Sequence, residues 1–177
     1  GFLTGMLERR HPERIADLFA RAAQWCNQNN LLGDALGYAV RGKLFDLAIE
    51  LLLTKGRSLV CAGGFLELYK WIQALPMAMV DRNPDLSTLY AWDLLMYCKF
   101  PEVSERVRIA RQNAYLSANP AHLHAELDVI SLWISVVETN DPGDVELTPA
   151  LISELPRDNM DILGYAYTGL GYFSRRK

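Results

Sequence analysis

The sequence predicts an all-α fold in which antiparallel helical hairpins stack in a row. Apolar residues recur at helical spacing along nearly all of its 177 residues. No segment of useful length alternates apolar and polar residues as a half-buried strand does, and no Asn-Gly hairpin turn occurs. Helical segments of about 10–18 residues also follow one another across short turns, which favours hairpins over isolated helices.

The first half of the chain is predicted to hold five helices. Pro12 suits the first turn of the first helix, where its missing N–H has no partner anyway, and Asn29-Asn30 ends that helix. Gly42 is the expected left-handed stop of the second helix. The following helices are predicted at Leu31–Arg41, at Leu44–Thr54 closed by Gly56, at Phe65–Leu75 after Gly63-Gly64, and at Met77–Asp81 between Pro76 and Pro84.

The second half is predicted to hold longer helices. Pro84–Lys99 is apolar almost all round, which predicts burial on several sides. Residues 140–147 have the composition of a turn. The other helices are expected at Glu102–Ser117, Ala121–Thr139, Pro149–Leu155 and Asn159–Arg175.

A weak repeat runs through this half. Leu86, Leu123 and Leu163 occupy similar places in successive units, and their spacing is close to the roughly 34–47 residues of tetratricopeptide and related repeats. The spacing therefore favours a tetratricopeptide-like, alpha-alpha superhelix.

Composition limits the function. The net charge is −3, and the sequence shows no stripe of basic residues that could bind phosphate groups. We therefore expect no nucleic-acid binding by this chain alone. No run of eighteen apolar residues occurs, so we expect no membrane span.

The termini and cysteines suggest a cytoplasmic excerpt of a longer protein. The N-terminus lacks both an initiator Met and the order of charges of a signal peptide. Cys26, Cys61 and Cys98 are odd in number and far apart, which is typical of reduced proteins. We expect all three to pack as small hydrophobic residues in the core.

Several short segments follow one another in a fixed order. They are His11-Pro12-Glu13, Ala22-Ala23-Gln24-Trp25, Ala35 and Ala39 after Leu31-Leu32, Phe45–Leu52, Gly63-Gly64, Trp71–Pro76, Pro84-Asp85-Leu86, Ala91-Trp92 and Tyr165–Arg175. This ordered set resembles the large LuxR-type, maltose-regulator-like transcription activators, which are STAND ATPases. The resemblance is good over residues 2–116 and thin over 117–160, with Phe19, Cys26 and Asp93 where the family favours His, Tyr and Ala.

The resemblance implies a division of the chain. Residues 1–11 would be the tail of a winged-helix domain, 12–83 a helical arm, and 84–177 the truncated start of a tetratricopeptide-like superhelix. In this family the superhelix holds inducer and controls ATP-driven self-association. Neither the nucleotide-binding loop nor the DNA-reading helix-turn-helix lies within these residues.

The expected function is that of a sensor. The chain would be a non-catalytic segment of a LuxR-type regulator that senses a small-molecule inducer or a regulatory protein and controls activation and self-association. The alternative is a general tetratricopeptide-like scaffold for protein–protein interaction, with no link to transcription.

Two histidine–carboxylate pairs begin the helix at Ala121. His122 with Glu126, and His124 with Asp128, are each four residues apart and share a helix face. The two pairs point to opposite faces, so they cannot share one metal ion, and each supplies too few ligands for zinc. We expect all four to be solvated first-turn residues.

No enzymatic motif stands out. The nucleophile elbow Gly-x-Ser-x-Gly and the phosphate-binding loop Gly-x-x-x-x-Gly-Lys-Ser/Thr are both absent, and no Cys has a neighbouring base. We expect no enzyme, and no catalytic, cofactor-binding or metal-binding residue in this chain.

Asp93 is the residue that the pattern singles out. It lies on the apolar helix Pro84–Lys99, and a buried acid is costly unless it is hydrogen-bonded. The favoured interpretation is a structural acceptor for a nearby N–H or hydroxyl. The other is a polar anchor in a ligand groove rimmed by Tyr90, Trp92 and Tyr97.

Overall fold

The structure is a computed structural model that describes residues 12–139 and Gly164. It confirms the all-α prediction, since the described chain is a series of helical hairpins without a strand. The elements are α1 (Pro12–Gln28), α2 (Leu32–Arg41), α3 (Phe45–Cys61), α4 (Phe65–Gln73), α5 (Met77–Arg82), α6 (Pro84–Met96), α7 (Phe100–Gln112), a 3₁₀ turn (Ala114–Leu116) and α8 (Pro120–Thr139).

One type of junction joins four of the helix pairs. At the end of α2, the Lys43 N–H donates to Val40 O at 3.0 Å and the Leu44 N–H donates to Ala39 O at 2.8 Å. These two bonds define a Schellman motif, in which a left-handed residue satisfies the last carbonyls of a helix. The same pair of bonds closes α1, α3 and α6. A repeated three-residue turn therefore sets the spacing of the hairpins.

The left-handed position of the motif is occupied mostly by residues other than glycine. Asn30 and Gly63 take it after α1 and α3, as their types favour. After α2 the prediction of a left-handed Gly42 is wrong, because Gly42 is right-handed with φ −76° and Lys43 takes the turn with φ 55°. A Cβ on Gly42 would lie 2.7 Å from the Phe19 Cβ, so this glycine permits close packing on α1.

Helix α6 is the centre of the molecule. It contacts α3, α4, α5, α7 and α8. Asn83 caps it, with Oδ1 accepting from the Leu86 N–H at 2.9 Å, and Pro84 occupies its first turn. The predicted burial on several sides is confirmed, since every residue from Pro84 to Leu95 except Asp85 is buried.

The packing of α3 on α6 depends on Gly56. The prediction that Gly56 ends the third helix is wrong, because α3 continues to Cys61. A Cβ at Gly56 would lie only 2.7 Å from the Leu89 Cδ2, so the missing side chain lets α6 approach. Tertiary packing here outweighs the weak helix propensity of glycine.

Three other expectations have a mixed outcome. Helix α7 ends at Gln112 rather than Ser117, because the chain tightens into the 3₁₀ turn. Cys26 is buried as expected, whereas Cys98 is exposed in the left-handed turn after α6. The side chain of Cys61, residues 1–11, the loop at 140–147 and, apart from Gly164, the two predicted helices after it lie outside the described part of the chain.

The core crosses the predicted boundary between arm and superhelix at residue 83. One cluster of buried residues contains members of every helix from α1 to α8. In the part of the chain that the structure describes, no helix has the length and apolar character to cross a membrane. Residues 12–83 and the α6–α8 segment thus share one hydrophobic interior.

Candidate functional site

Glu126 forms the most highly connected polar cluster of the described chain. Its side chain is only 1% exposed, although it lies on α8 four residues after the partly exposed His122. Arg57 Nη2 of α3 donates to Glu126 Oε1 at 2.5 Å, and His122 Nε2 lies 2.9 Å from the same oxygen. Trp92 Nε1 of α6 donates to Oε2 at 3.1 Å. One buried carboxylate therefore joins three helices.

The surroundings of Glu126 stabilise the ionised form of its carboxyl group. Burial alone would raise the pKa of Glu126, but the hydrogen bonds from His122 and Arg57 and the charge of Arg57 outweigh burial. The pKa therefore lies below its usual range, and Glu126 is ionised at neutral pH. An ionised acid with three donors is an effective interhelical clamp.

A cavity of about 360 Å³ opens beside this cluster. Such a volume falls within the range of small-molecule pockets, which are largely apolar with a few fixed polar groups. Glu126 holds Arg57 and His122 at its wall. Its full lining is Leu53, Arg57, Asp85, Leu89, Ala118, Asn119, His122, Leu123 and Glu126.

The expectation of four solvated first-turn residues is therefore wrong for Glu126. It holds for His124, which is exposed, while Asp128 is half-buried and accepts from Arg111 Nη2 at 2.6 Å. The i,i+4 spacing correctly placed His122 beside Glu126. Burial was missed because Arg57 and Trp92 lie 69 and 34 residues away in sequence.

Asp93 has the opposite environment. Its side chain is 0% exposed, and neither carboxylate oxygen has a hydrogen-bond partner within residues 12–139. The favoured interpretation, a structural acceptor, is therefore wrong. Burial raises the pKa of Asp93 to about 7, against the charge of Lys99, which lowers it.

Three tyrosines of α4 and the α6 segment pack together on the side of α6 where Asp93 lies. Tyr69 packs against Tyr90 with ring centroids 6.1 Å apart and against Tyr97 at 5.7 Å. Gln73 Nε2 donates to the Tyr90 hydroxyl. Tyr90 lies three residues before Asp93 and Tyr97 four residues after it, so the three share one side of the α6 segment. Burial raises the pKa of Tyr97, and the charge of Asp93 raises it further.

The structure thus divides the predicted groove in two. Tyr90, Asp93 and Tyr97 follow one stripe of α6 and the turn after it, and the two tyrosines contact Tyr69. Trp92 belongs to the other cluster, because its indole N–H binds Glu126. Sequence reasoning missed Tyr69, which lies on α4, and Lys99, which lies in the turn after α6.

Comparison with known proteins shows that this chain is similar in sequence to part of a protein kinase. The serine/threonine-protein kinase PknK, from two strains of Mycobacterium tuberculosis and from Mycobacterium bovis, is 30% identical over 133 residues. The match covers 73% of this chain but only 12% of each relative, so the chain spans a small part of their length. Neither a protein-family profile nor a solved structure matches the chain.

Proposed function

We propose that this chain is the sensing segment of a larger cytoplasmic transcription regulator of the LuxR type. It binds a small-molecule inducer or a regulatory protein, has no catalytic role, and controls the activation and self-association of its parent. The cavity beside Glu126 is the proposed inducer site. The resemblance of residues 2–116 to that family supports the link to transcription.

The position of the cavity is the observation that carries the proposal. Arg57 and Leu53 come from the predicted arm, whereas Leu89, His122 and Glu126 come from the predicted superhelix. A ligand between them contacts both regions at once. It can therefore shift the equilibrium between two arrangements of arm and superhelix, provided that it binds one of them more tightly.

The similarity to PknK is compatible with a non-catalytic role. The sequence contains neither the His-Arg-Asp nor the Asp-Phe-Gly motif of protein-kinase catalytic domains. We propose that the matching 133 residues correspond to a regulatory part of those kinases.

A peptide-binding scaffold remains the second candidate, because of a groove between α2 and α4. The groove has a volume of about 460 Å³ and is lined by both signs of charge. A Cβ on Gly33 would lie 2.8 Å from Glu67 Oε1, so this glycine lets the Glu67 side chain lie close to α2. Such a surface fits a short peptide with alternating charges.

Covering the cavity in the parent protein tests the sensing role. Ala118 is exposed at the rim of the cavity, so Ala118→Trp obstructs entry at little cost to folding. We expect this variant to lose at least ten-fold in inducer sensitivity in a reporter assay. The control is Ala121→Trp, which is also exposed but lies outside the lining. An unchanged inducer response in a folded Ala118→Trp protein would reject the cavity as the sensor.

The parent gene separates the two candidates. A phosphate-binding loop upstream and a helix-turn-helix downstream would support the regulator. A parent without both motifs would favour the scaffold.

A further inference from the structure

The second feature of interest is the cluster formed by Tyr69, Tyr90, Asp93, Tyr97 and Lys99, here called the tyrosine cluster. We propose that the tyrosine cluster is a binding site for a small organic ammonium ion, with Asp93 as its counter-charge. It is separate from the cavity beside Glu126 and does not depend on the sensing role of that cavity.

The cluster already holds an ammonium group. Lys99 Nζ lies 4.6 Å from the centroid of the Tyr69 ring and donates to the Tyr69 hydroxyl at 3.0 Å. Cations bind aromatic faces in this way within about 6 Å of the centroid. Lys99 therefore acts as a tethered occupant that shows which chemistry the site accepts.

Within residues 12–139, the Lys99 ammonium group leaves the buried Asp93 carboxylate without a hydrogen bond. Lys99 lowers the pKa of Asp93 by its charge, yet its ammonium group makes no hydrogen bond to either Asp93 oxygen among the described residues. A fully buried carboxylate without a donor is costly for folding. Binding sites commonly retain groups that folding alone would not select. A cation that displaces Lys99 and reaches Asp93 would remove this cost.

The cluster has an edge at the surface. Tyr97 is 39% exposed and Lys99 is half-buried, whereas Tyr90 and Asp93 are buried. A ligand can enter where the Lys99 side chain leaves. The three rings then surround its methyl or methylene groups, and Asp93 pairs with its charge.

Calorimetric titration of the whole chain with choline tests the proposal. The neutral isostere 3,3-dimethyl-1-butanol has the same shape without the charge. In the Lys99→Met variant, which lacks the tethered competitor, we expect choline to bind at least ten-fold more tightly than in the unmodified chain. Adding Asp93→Asn to Lys99→Met should weaken choline binding about ten-fold. Tyr115→Phe is the control, because Tyr115 is 77% exposed and outside the cluster.

Two results would overturn the proposal. One is the absence of choline binding to the folded Lys99→Met chain. The other is equal affinity for choline and the neutral isostere, which would reveal an apolar pocket without preference for charge. A lysine side chain of a partner presents a related cation, so Nα-acetyl-lysine amide is titrated in parallel. Tighter binding of choline than of this amide is the expected result, and the reverse order would contradict a small-molecule ligand. Loss of inducer response in the Ala118→Trp parent bears only on the cavity, so the two proposals fail independently.

Discussion

Glu126 and Asp93 are both acids that lie buried on largely apolar helices, yet their surroundings differ completely. Glu126 is bound by Arg57, Trp92 and His122, and its pKa is lowered. Asp93 has no hydrogen-bond donor among the described residues, and its pKa is raised to about 7. The number of donors, rather than burial, decides whether such an acid stabilises the fold or strains it.

The difference also suggests that neighbouring residues of α6 belong to two different sites. Trp92 connects this helix to the clamp that joins α3 and α8, while Asp93, the next residue, shares a helix side with Tyr90 and Tyr97 of the tyrosine cluster. Binding at either site therefore acts on the same helix. Substitutions that alter each acid separately can test this comparison.

Removal of the partnered acid should have the largest effect. Glu126→Ala leaves the Trp92 N–H buried without its carboxylate partner and removes the counter-charge of Arg57. We expect the free energy of unfolding to fall by about 3 kcal/mol, the lower end for a broken buried pair, because Arg57 is 35% exposed and can be hydrated.

Urea unfolding measures this loss, with Glu105→Ala as the control. Glu105 is 49% exposed and pairs with Arg108 at the surface, where ion pairs add little, so its removal should cost far less than the removal of Glu126. Similar losses for the two variants would show that the clamp adds no stability.

Removal of the unpartnered acid should have a smaller effect of opposite sign. Asp93→Ala eliminates a buried carboxylate without a donor, at the cost of a small void. We expect the free energy of unfolding at pH 8 to rise by about 2 kcal/mol. A melting temperature that falls instead would show that Asp93 has a structural partner after all.

Substitutions in the turns between helices should have the smallest effect on the free energy of unfolding. Lys43 and Cys98 are exposed and hold the left-handed position at φ 55°, which suits glycine better. Lys43→Gly and Cys98→Gly should each raise the free energy of unfolding by roughly 0.5–1 kcal/mol, after the entropic cost of glycine in the unfolded chain.

Thermal unfolding is sufficient to detect these gains. Gly63→Ala is the converse control, because Gly63 holds the same position at φ 80° and an added Cβ would meet no atom within 4 Å. It should be destabilising, and a neutral effect would mean that the motif is not under strain.

The sequence was informative wherever local pattern decides the outcome. The helical series and the all-round burial of α6 followed from apolar spacing, and Asp93 stood out as an acid in an apolar helix. The errors arose where distant residues decide. Gly42 and Gly56 serve packing against Phe19 and Leu89 rather than helix termination, and helical pattern alone does not reveal such contacts.

The same limit explains the candidate sites. His122 was correctly paired with Glu126 by its spacing of four, but the donors that explain burial come from α3 and α6. The tyrosine cluster was only partly visible in the sequence, because Tyr69 reaches Tyr90, Tyr97 and Lys99 through the packing of α4 on α6. The residue types predicted the chemistry of each site, but the tertiary structure determined which residues belong to it.

The most direct test of the contrast between the two acids is the pH dependence of stability. The free energy of unfolding is measured from pH 4 to pH 8 for the unmodified chain, Asp93→Asn and Glu126→Gln. Because the pKa of Asp93 is raised from 3.8 to about 7, the unfolded chain loses this proton first. The native state therefore loses stability as pH rises between these values, by on the order of 1 kcal/mol per pH unit.

The advantage of Asp93→Asn should accordingly grow from near zero at pH 4 to a plateau above pH 7. Glu126→Gln should behave in the opposite sense, since a lowered pKa stabilises the native state above the usual value and that stability is lost on acidification. Its deficit should be full at pH 7 and begin to shrink near pH 4. An Asp93→Asn difference that stays flat, or that follows the same course as Glu126→Gln, would contradict the distinction between a partnered and an unpartnered acid.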